Sequence, residues 1–103
     1  MADLNQTHWA EQLANDTNAV VLDVRTEEEV ELGYIPNAIN IDIYQGQDFI
    51  DELEKLDKTK NYYVYCRSGK RSAQACSIMK ELGFTNTYNL LGGFLEWEGD
   101  VAE

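Results

Sequence analysis

The sequence predicts an α/β fold in which a mostly parallel central sheet carries helices on both faces. Short apolar and β-branched runs alternate along the 103 residues with longer segments of helical periodicity, an order typical of strands joined by helical crossovers. The run from Ala19 to Leu22 is continuously apolar, as parallel strands buried on both faces are. A chain of this length builds one hydrophobic core, so we expect a single domain over residues 1–103.

The N-terminal half contains signals for two helices and two strands. The predicted elements are a helix over about 8–13, a strand over 19–22, a short helix after residue 26 and a strand over 39–41. Thr7 can cap the first helix, and Asp23 ends the first strand. Thr26 and Glu29 have the spacing of a capping box, and Gly33 suits the end of the helix that they begin.

The C-terminal half continues the alternation of helices and strands. Phe49, Leu53 and Leu56 recur at helical spacing and mark the apolar face of a helix that starts near Gln47. After a polar linker at 57–61, the remaining predicted elements are a strand over 62–65, a helix over 72–82, a strand over 87–90 and a final helix from Gly93. Ligands of parallel sheets bind at the C-terminal edge of the strands, so the loop after residue 65 is the first place to seek a site.

That loop begins with Cys66, between the end of a strand and the start of a helix. Unpaired backbone N–H groups and the positive end of the helix dipole face such a position. Arg67, Lys70 and Arg71 are three of the chain's eight Lys and Arg residues. Cations and a helix N-terminus both lower the pKa of a nearby thiol, so we expect Cys66 to be substantially ionised near neutral pH.

Composition limits the partners that such a site can have. With 19 Asp and Glu against 8 Lys and Arg, the net charge is -11, which argues against nucleic acid or an anionic membrane surface. The sequence has no apolar run long enough to span a bilayer and no targeting signal at its start, so we expect a cytoplasmic protein. Two cysteines without a Cys-x-x-Cys spacing predict neither a disulfide framework nor a zinc site, and we expect no metal and no cofactor.

Three segments together resemble the single-domain rhodanese-like sulfurtransferases, from about residue 4 to residue 97. The segments are Leu22-Asp23-Val24-Arg25 with Gly33-Tyr34-Ile35-Pro36-Asn37-Ala38-Ile39-Asn40-Ile41, the loop from Cys66 to Ser72, and Gly92-Gly93-Phe94-Leu95-Glu96-Trp97. Tyr34 stands where the family usually has His, and Asn37 where it usually has Gly. Asn tolerates positive φ best among the non-glycine residues, so we expect the turn after Pro36 to survive.

The resemblance implies a rhodanese-like fold and a sulfur-transfer reaction. Cys66 would be the nucleophile that takes a sulfane sulfur from a small anionic donor such as thiosulfate, and cyanide or a thiol would then accept it in a ping-pong reaction. The residues expected to bind the substrate are Arg67, Ser68, Gly69, Lys70, Arg71 and Ser72. Among the cations, Arg71 has a planar fork that can bind two oxygens at once.

Loop length separates this chemistry from the main alternative. Arg71 is five residues after Cys66, which gives Cys-x4-Arg, whereas phosphatases and arsenate reductases of related architecture use Cys-x5-Arg. The shorter loop favours a single sulfur over a phosphoryl group. Two further alternatives stay open: a persulfide carrier between protein partners, and an idle binding module, which the presence of the nucleophile and its cations weakens. A monomer is the default expectation.

Several other residues have structural interpretations that we prefer. Asp23 and Arg25 could support the active loop, but we favour a structural role in which local hydrogen bonds and an ion pair hold the strand-to-helix turn. Cys76 lies on an apolar helical stripe and is expected to be buried. His8 is far in sequence from Cys66, and we expect a surface or partly buried residue and not a catalytic base. Trp9, Phe94 and Trp97 are expected to pack in the core or at its rim, and the acidic cluster 27–31 is assigned no site.

Overall fold

The computed structural model describes residues 2–103 and contains five strands and four α-helices. In chain order these are β1 (Ala2–Leu4), α1 (Gln6–Ala14), β2 (Ala19–Asp23), α2 (Glu27–Glu31), β3 (Ile39–Asn40), α3 (Gln47–Glu54), β4 (Asn61–Tyr65), α4 (Lys70–Glu81) and β5 (Asn86–Leu90). The strands form one sheet in the order β1-β5-β4-β2-β3, and every pairing is parallel. The predicted parallel α/β sheet is confirmed.

Alternation along the central strand β4 divides the core between the two faces of the sheet. Tyr62 and Val64 pack with residues of α3 and α4 on one face, whereas Tyr63 and Tyr65 pack with Trp9 of α1 on the other. All four of these strand side chains are buried. Helices therefore cover both faces, as the sequence predicts, and β4 delivers the next residue, Cys66, to the middle of the C-terminal edge.

The largest differences from the predicted elements are four, and the other boundaries shift by one residue or a few. Strand β1 was not predicted, because its three residues carry no periodic pattern and are held by pairing with β5. Helix α1 begins at Gln6, and Asn5 rather than Thr7 caps it by accepting from the His8 backbone N–H. Helix α4 begins at Lys70 instead of Ser72. The predicted final helix is only a 3-10 turn, Phe94–Glu96.

Local signals in the segment between β2 and β3 are confirmed. The capping box of Thr26 and Glu29 is present at the start of α2. Asn37 has a φ of 69° and is the non-glycine residue of the described chain with positive φ, so the turn after Pro36 does survive the change from glycine. Within residues 2–103, no helix combines the length and apolar character needed to cross a bilayer.

Candidate active site

Cys66 directly follows β4 and opens a short loop that ends at the N-terminus of α4. The loop closes at Gly69, the N-cap of α4, where φ is 99°. This positive φ favours glycine, and a Cβ there would lie 3.2 Å from the Leu90 carbonyl oxygen. Because Gly69 offers no side chain, no cap side chain accepts from the first turn of α4. The thiol therefore lies at a helix N-terminus whose first backbone N–H groups have no side-chain cap as acceptor.

Hydrogen-bond donors converge on the sulfur of Cys66. The backbone N–H of Gly69 donates to Sγ over 3.1 Å, and Ser72 Oγ lies 3.4 Å from Sγ. Burial raises the pKa of the Cys66 thiol, but hydrogen bonding with the Ser72 side chain and the backbone of Ser72, Gly69 and Ser68 outweighs it and lowers the pKa below its usual value. The direction agrees with the sequence prediction, although hydrogen bonds, and not the three cations, are its main cause.

The thiol is enclosed in this structure. Cys66 is 0% exposed, so its sulfur is closed to solvent in this arrangement of the loop. Beside the loop lies an open cleft of about 310 Å³ lined by Arg25, Glu29, Leu32, Arg67, Phe94 and Leu95. Arg67 and Ser68 are exposed on the loop itself.

Arg71 is engaged in a way that the sequence did not predict. Its Nη1 and Nη2 donate to the two carboxylate oxygens of Glu29 over 2.7 and 2.8 Å. These hydrogen bonds raise the pKa of Arg71, and the charge on Cys66 raises it further. The fork expected to bind a donor's oxygens is thus occupied by Glu29, while Arg71 still acts electrostatically on Cys66.

Arg67 and Lys70 differ from Arg71 in having no such partner. Both side chains are exposed, and neither forms an ion pair with any residue in 2–103. Lys70 lies in the first turn of α4, where a cation opposes the helix dipole and is mildly unfavourable for the helix. These two cations are available to an anion that approaches the loop.

Asp23 and Arg25 form a buried ion pair at the end of β2. Arg25 Nε and Nη2 both donate to Asp23, the latter over 2.8 Å, and Nη2 also donates to the Gly33 carbonyl over 2.8 Å. The Tyr65 hydroxyl donates to the same carboxylate over 2.7 Å. The guanidinium carbon of Arg25 lies 4.4 Å from the centre of the Phe94 ring. The ion pair thus fixes the position of Arg25, which lines the cleft together with Phe94.

The Gly92-Gly93 segment clamps the loop from the other side. The N–H groups of Phe94 and Leu95 donate to the carbonyls of Cys66 and Arg67, each over 2.9 Å. Gly93 has a φ of 59°, and a Cβ there would collide with the Arg67 carbonyl oxygen. Glycine at this position is therefore required for the two backbones to approach, and it fixes the conformation of the cysteine loop.

Comparison with known proteins identifies the family. The sequence profile described as "Rhodanese-like domain" matches residues 6–100. The chain belongs to the rhodanese-like domain family.

The relatives of this rhodanese-like domain carry more than one kind of name. Bacillus subtilis YtwF, which is named as a sulfurtransferase, is 41% identical over 91 residues, covering 88% of this chain and 84% of YtwF. A tRNA uridine(34) hydroxylase of Legionella pneumophila is 36% identical over 103 residues, but the match spans 97% of this chain and only 40% of the hydroxylase. The crystal structure of a rhodanese-like domain protein from Staphylococcus aureus superposes with a TM-score of 0.82 at 32% identity, over 97% of this chain and 93% of that one.

The remaining candidate residues of the rhodanese-like domain have structural positions. His8 is exposed on α1, and Cys76 is fully buried on α4, as expected. Trp9 is buried and packs edge to face against Trp97 with ring centres 5.6 Å apart. The pairing of Glu29 with Arg71 was not predicted. A glutamate in the first turn of a helix suits the helix dipole and needs no distant partner, so the sequence contains no signal for this contact.

Proposed function

We propose that this rhodanese-like domain transfers a sulfane sulfur from a small anionic donor such as thiosulfate to a thiophilic acceptor through a persulfide on Cys66. Family membership and the name of the relative YtwF support sulfur transfer as the general class of reaction. The observation that supports Cys66 as its nucleophile is the hydrogen bond from the Gly69 N–H to Sγ at the start of α4, one of the contacts that lower the pKa of the thiol. A thiolate is the form that attacks sulfur.

In the first half-reaction, the Cys66 thiolate attacks the outer sulfur of thiosulfate. A bond forms between Sγ and that sulfur, the sulfur–sulfur bond of the donor breaks, and sulfite leaves with the electron pair. The negative charge now lies on the terminal sulfur of the persulfide. The Gly69 N–H already donates to Sγ, and in this proposal the backbone N–H groups of residues 67–71 stabilise the anionic persulfide.

In the second half-reaction, the acceptor attacks the terminal sulfur. With cyanide the product is thiocyanate, and with a thiolate it is a new persulfide. In both cases the bond between the two sulfurs breaks, and Cys66 leaves as a thiolate that its hydrogen bonds favour. Donor and acceptor thus use the enzyme in turn, which is ping-pong kinetics.

Arg67 and Lys70 are the residues that we assign to the donor's sulfonate. They are exposed and unpaired beside the loop, whereas Glu29 holds the fork of Arg71. Arg71 then contributes long-range charge instead of a direct contact. This division modifies the sequence-based hypothesis, in which Arg71 was the foremost donor ligand.

A second candidate, a persulfide carrier that exchanges sulfur with a protein, is favoured by the apolar side chains around the loop. Among residues 2–103 six large apolar side chains are exposed. Leu32 and Leu95 line the cleft with Arg67, Tyr44 lies under Arg71, and the Leu91 backbone lies beside Gly69. Apolar exposure concentrated at one place marks contact surfaces more often than chance exposure does. We name Leu32, Tyr44, Leu91 and Leu95 the apolar collar.

Steady-state assay of thiocyanate formation from thiosulfate and cyanide tests the first function. We expect parallel-line, ping-pong patterns in wild type and no activity in Cys66→Ala. Arg67→Ala should raise the KM for thiosulfate by about 10-fold or more, the effect of losing one charged hydrogen bond. Lys80→Ala removes an equal charge from the far end of α4 and should leave the KM unchanged. Activity in Cys66→Ala, or none in wild type with any sulfane donor, overturns the assignment, and efficient hydrolysis of p-nitrophenyl phosphate revives the phosphatase alternative.

A matched pair of acceptors separates small-molecule transfer from carrier function. The persulfide-loaded protein is mixed with a cysteine peptide flanked by leucines and with one flanked by serines. A carrier that uses the apolar collar transfers faster to the first peptide, and Leu95→Ser abolishes the difference while cyanide transfer stays the same. Equal rates with both peptides argue against the carrier.

A further inference from the structure

A buried chain of hydrogen bonds connects Cys66 to the edge strand β1. Ser72 Oγ lies 3.4 Å from Cys66 Sγ and 2.5 Å from Asn89 Oδ1. Asn89 Nδ2 donates to the carboxylate of Asp3 over 3.0 Å and to the Gly69 carbonyl over 3.2 Å. Cys66 and Ser72 are 0% exposed and Asn89 is 2% exposed. Water therefore cannot freely replace a partner among these three residues, whereas Asp3 at the end of the chain is exposed.

The orientation of the Asn89 amide follows from its neighbours. The Asp3 carboxylate and the Gly69 carbonyl both lie beside Nδ2, and neither group has a proton to donate. Both protons of Nδ2 are therefore used, and Oδ1 is the atom that faces Ser72. Reversing the amide would place its oxygen against two acceptors, which is unfavourable.

This orientation restricts the hydroxyl of Ser72. An amide oxygen only accepts, so the single proton of Ser72 points to Asn89 Oδ1. Its lone pairs then face Cys66, and they suit the neutral thiol, whose S–H can donate to them. A thiolate at Cys66 needs the opposite arrangement, with the hydroxyl proton turned to Sγ. Ser72 cannot serve both acceptors at once.

We infer that Asn89 is a positioning residue that competes with the Cys66 thiolate for the single hydroxyl proton of Ser72. When Cys66 ionises, the Ser72 proton turns to Sγ and Asn89 Oδ1 loses its donor. When Sγ gains a sulfur, the charge moves to the terminal atom and the proton returns to Asn89. Asn89 thus opposes the free thiolate and favours the states in which Sγ is uncharged.

Other charged groups act on Cys66 from several elements. Arg71 of α4 faces it and is neutralised by Glu29 of α2, Arg67 and Lys70 flank it on the loop side, and Asp3 of β1 ends the hydrogen-bonded chain. Replacing Asn89 leaves all of these charges in place. A change in the reactivity of Cys66 in such a variant therefore reports the hydroxyl proton and not the surrounding charge.

The rate of alkylation by iodoacetamide, measured from pH 5 to 9, tests the competition. Alkylation reports the ionisation of Cys66, on which the proposed function also rests. Because the reaction needs no sulfur donor, the Asn89 proposal can be wrong while sulfur transfer is right, and the reverse. We expect Asn89→Leu, which removes the competing acceptor at similar volume, to alkylate about 3- to 10-fold faster on the acid side of the profile, the range for one neutral hydrogen bond. Adding Ser72→Ala to Asn89→Leu should cancel this gain. Every variant also carries Cys76→Ala so that one thiol is measured.

The decisive result is whether the effect of Asn89→Leu on the alkylation rate depends on the Ser72 hydroxyl. An acid-side rate for Asn89→Leu that is unchanged or slower overturns the proposal, and so does a gain that persists without the Ser72 hydroxyl. Asn89 is buried, so Asp3→Ala on the exposed edge strand provides a second variant that keeps the core intact. Loss of the Asp3 carboxylate removes one hydrogen bond that orients the Asn89 amide. We expect Asp3→Ala to speed alkylation of Cys66, and to do so less when Ser72→Ala is also present. An equal acceleration in both backgrounds assigns the effect to the charge of Asp3 and also overturns the proposal.

Discussion

Glu29→Gln tests the ion pair with Arg71 that joins α2 to α4. The substitution removes the charge but keeps the shape, and glutamine still fits the third position of the capping box with Thr26. The variant therefore isolates the contact with Arg71. Glu28→Gln is the matched control, because it removes an equal charge from the same turn of α2 and Glu28 forms no ion pair with any residue in 2–103.

The magnitude follows from the pKa of Glu29. The hydrogen bonds from Arg71 outweigh burial and lower this pKa from 4.5 to about 2. A shift of this size corresponds to about 3 kcal/mol of stability at neutral pH. The Glu29 and Arg71 side chains are 26% and 17% exposed, so solvent screening reduces the expected loss to about 2 kcal/mol. The control should stay within about 0.5 kcal/mol of wild type.

The stability difference between wild type and Glu29→Gln should decrease as the pH falls. A carboxylate with a depressed pKa in the folded state stabilises the protein above its unfolded pKa, and this contribution is lost as the pH falls toward the folded value. Urea denaturation of wild type and Glu29→Gln should therefore give a difference that is full at pH 7, is roughly halved by pH 3 and vanishes near pH 2. A difference below about 0.5 kcal/mol at pH 7, or one that does not change with pH, refutes the reasoning.

Three further substitutions and reactions test the surrounding structure. Burial raises the pKa of Cys76 to about 11, so iodoacetamide at pH 8 should leave Cys76 unmodified until urea is added; peptide mapping that finds it labelled in the native protein contradicts this. Gly93→Ala places a Cβ against the Arg67 carbonyl oxygen and should cost about 2 to 4 kcal/mol in chemical denaturation; an unchanged midpoint shows that the loop yields. Arg25→Lys keeps the charge but loses the fork on Asp23, and we expect a loss of about 2 to 4 kcal/mol, whereas wild-type stability would mean that an ammonium suffices.

The features that the sequence predicted correctly depend on residues close together in the chain. The capping box at Thr26, the buried strand at 19–22 and the strand–cysteine–helix order around Cys66 each depend on residues that are close in the chain. Such features express the conformational preferences of a few neighbouring residues. They placed the cysteine at the C-terminal edge of the sheet and the cations beside it.

Contacts between distant segments were not predictable in this way. Glu29 and Arg71 are 42 residues apart, and nothing in either segment requires the other. The pairing of β1 with β5 and the hydrogen bond from Asn89 to Asp3 depend on the sheet order. Asn89 did carry a signal, because it precedes Leu90 at the end of a predicted strand, where a buried amide demands hydrogen-bond partners.

Intact mass after incubation with thiosulfate tests the central claim most directly. Wild type and Cys76→Ala should each gain one sulfur atom, which dithiothreitol removes, and Cys66→Ala should gain none. The loaded sulfur should disappear on addition of cyanide, with release of thiocyanate. A reducible sulfur on Cys66→Ala, or wild-type protein that no sulfane donor can load, contradicts the account.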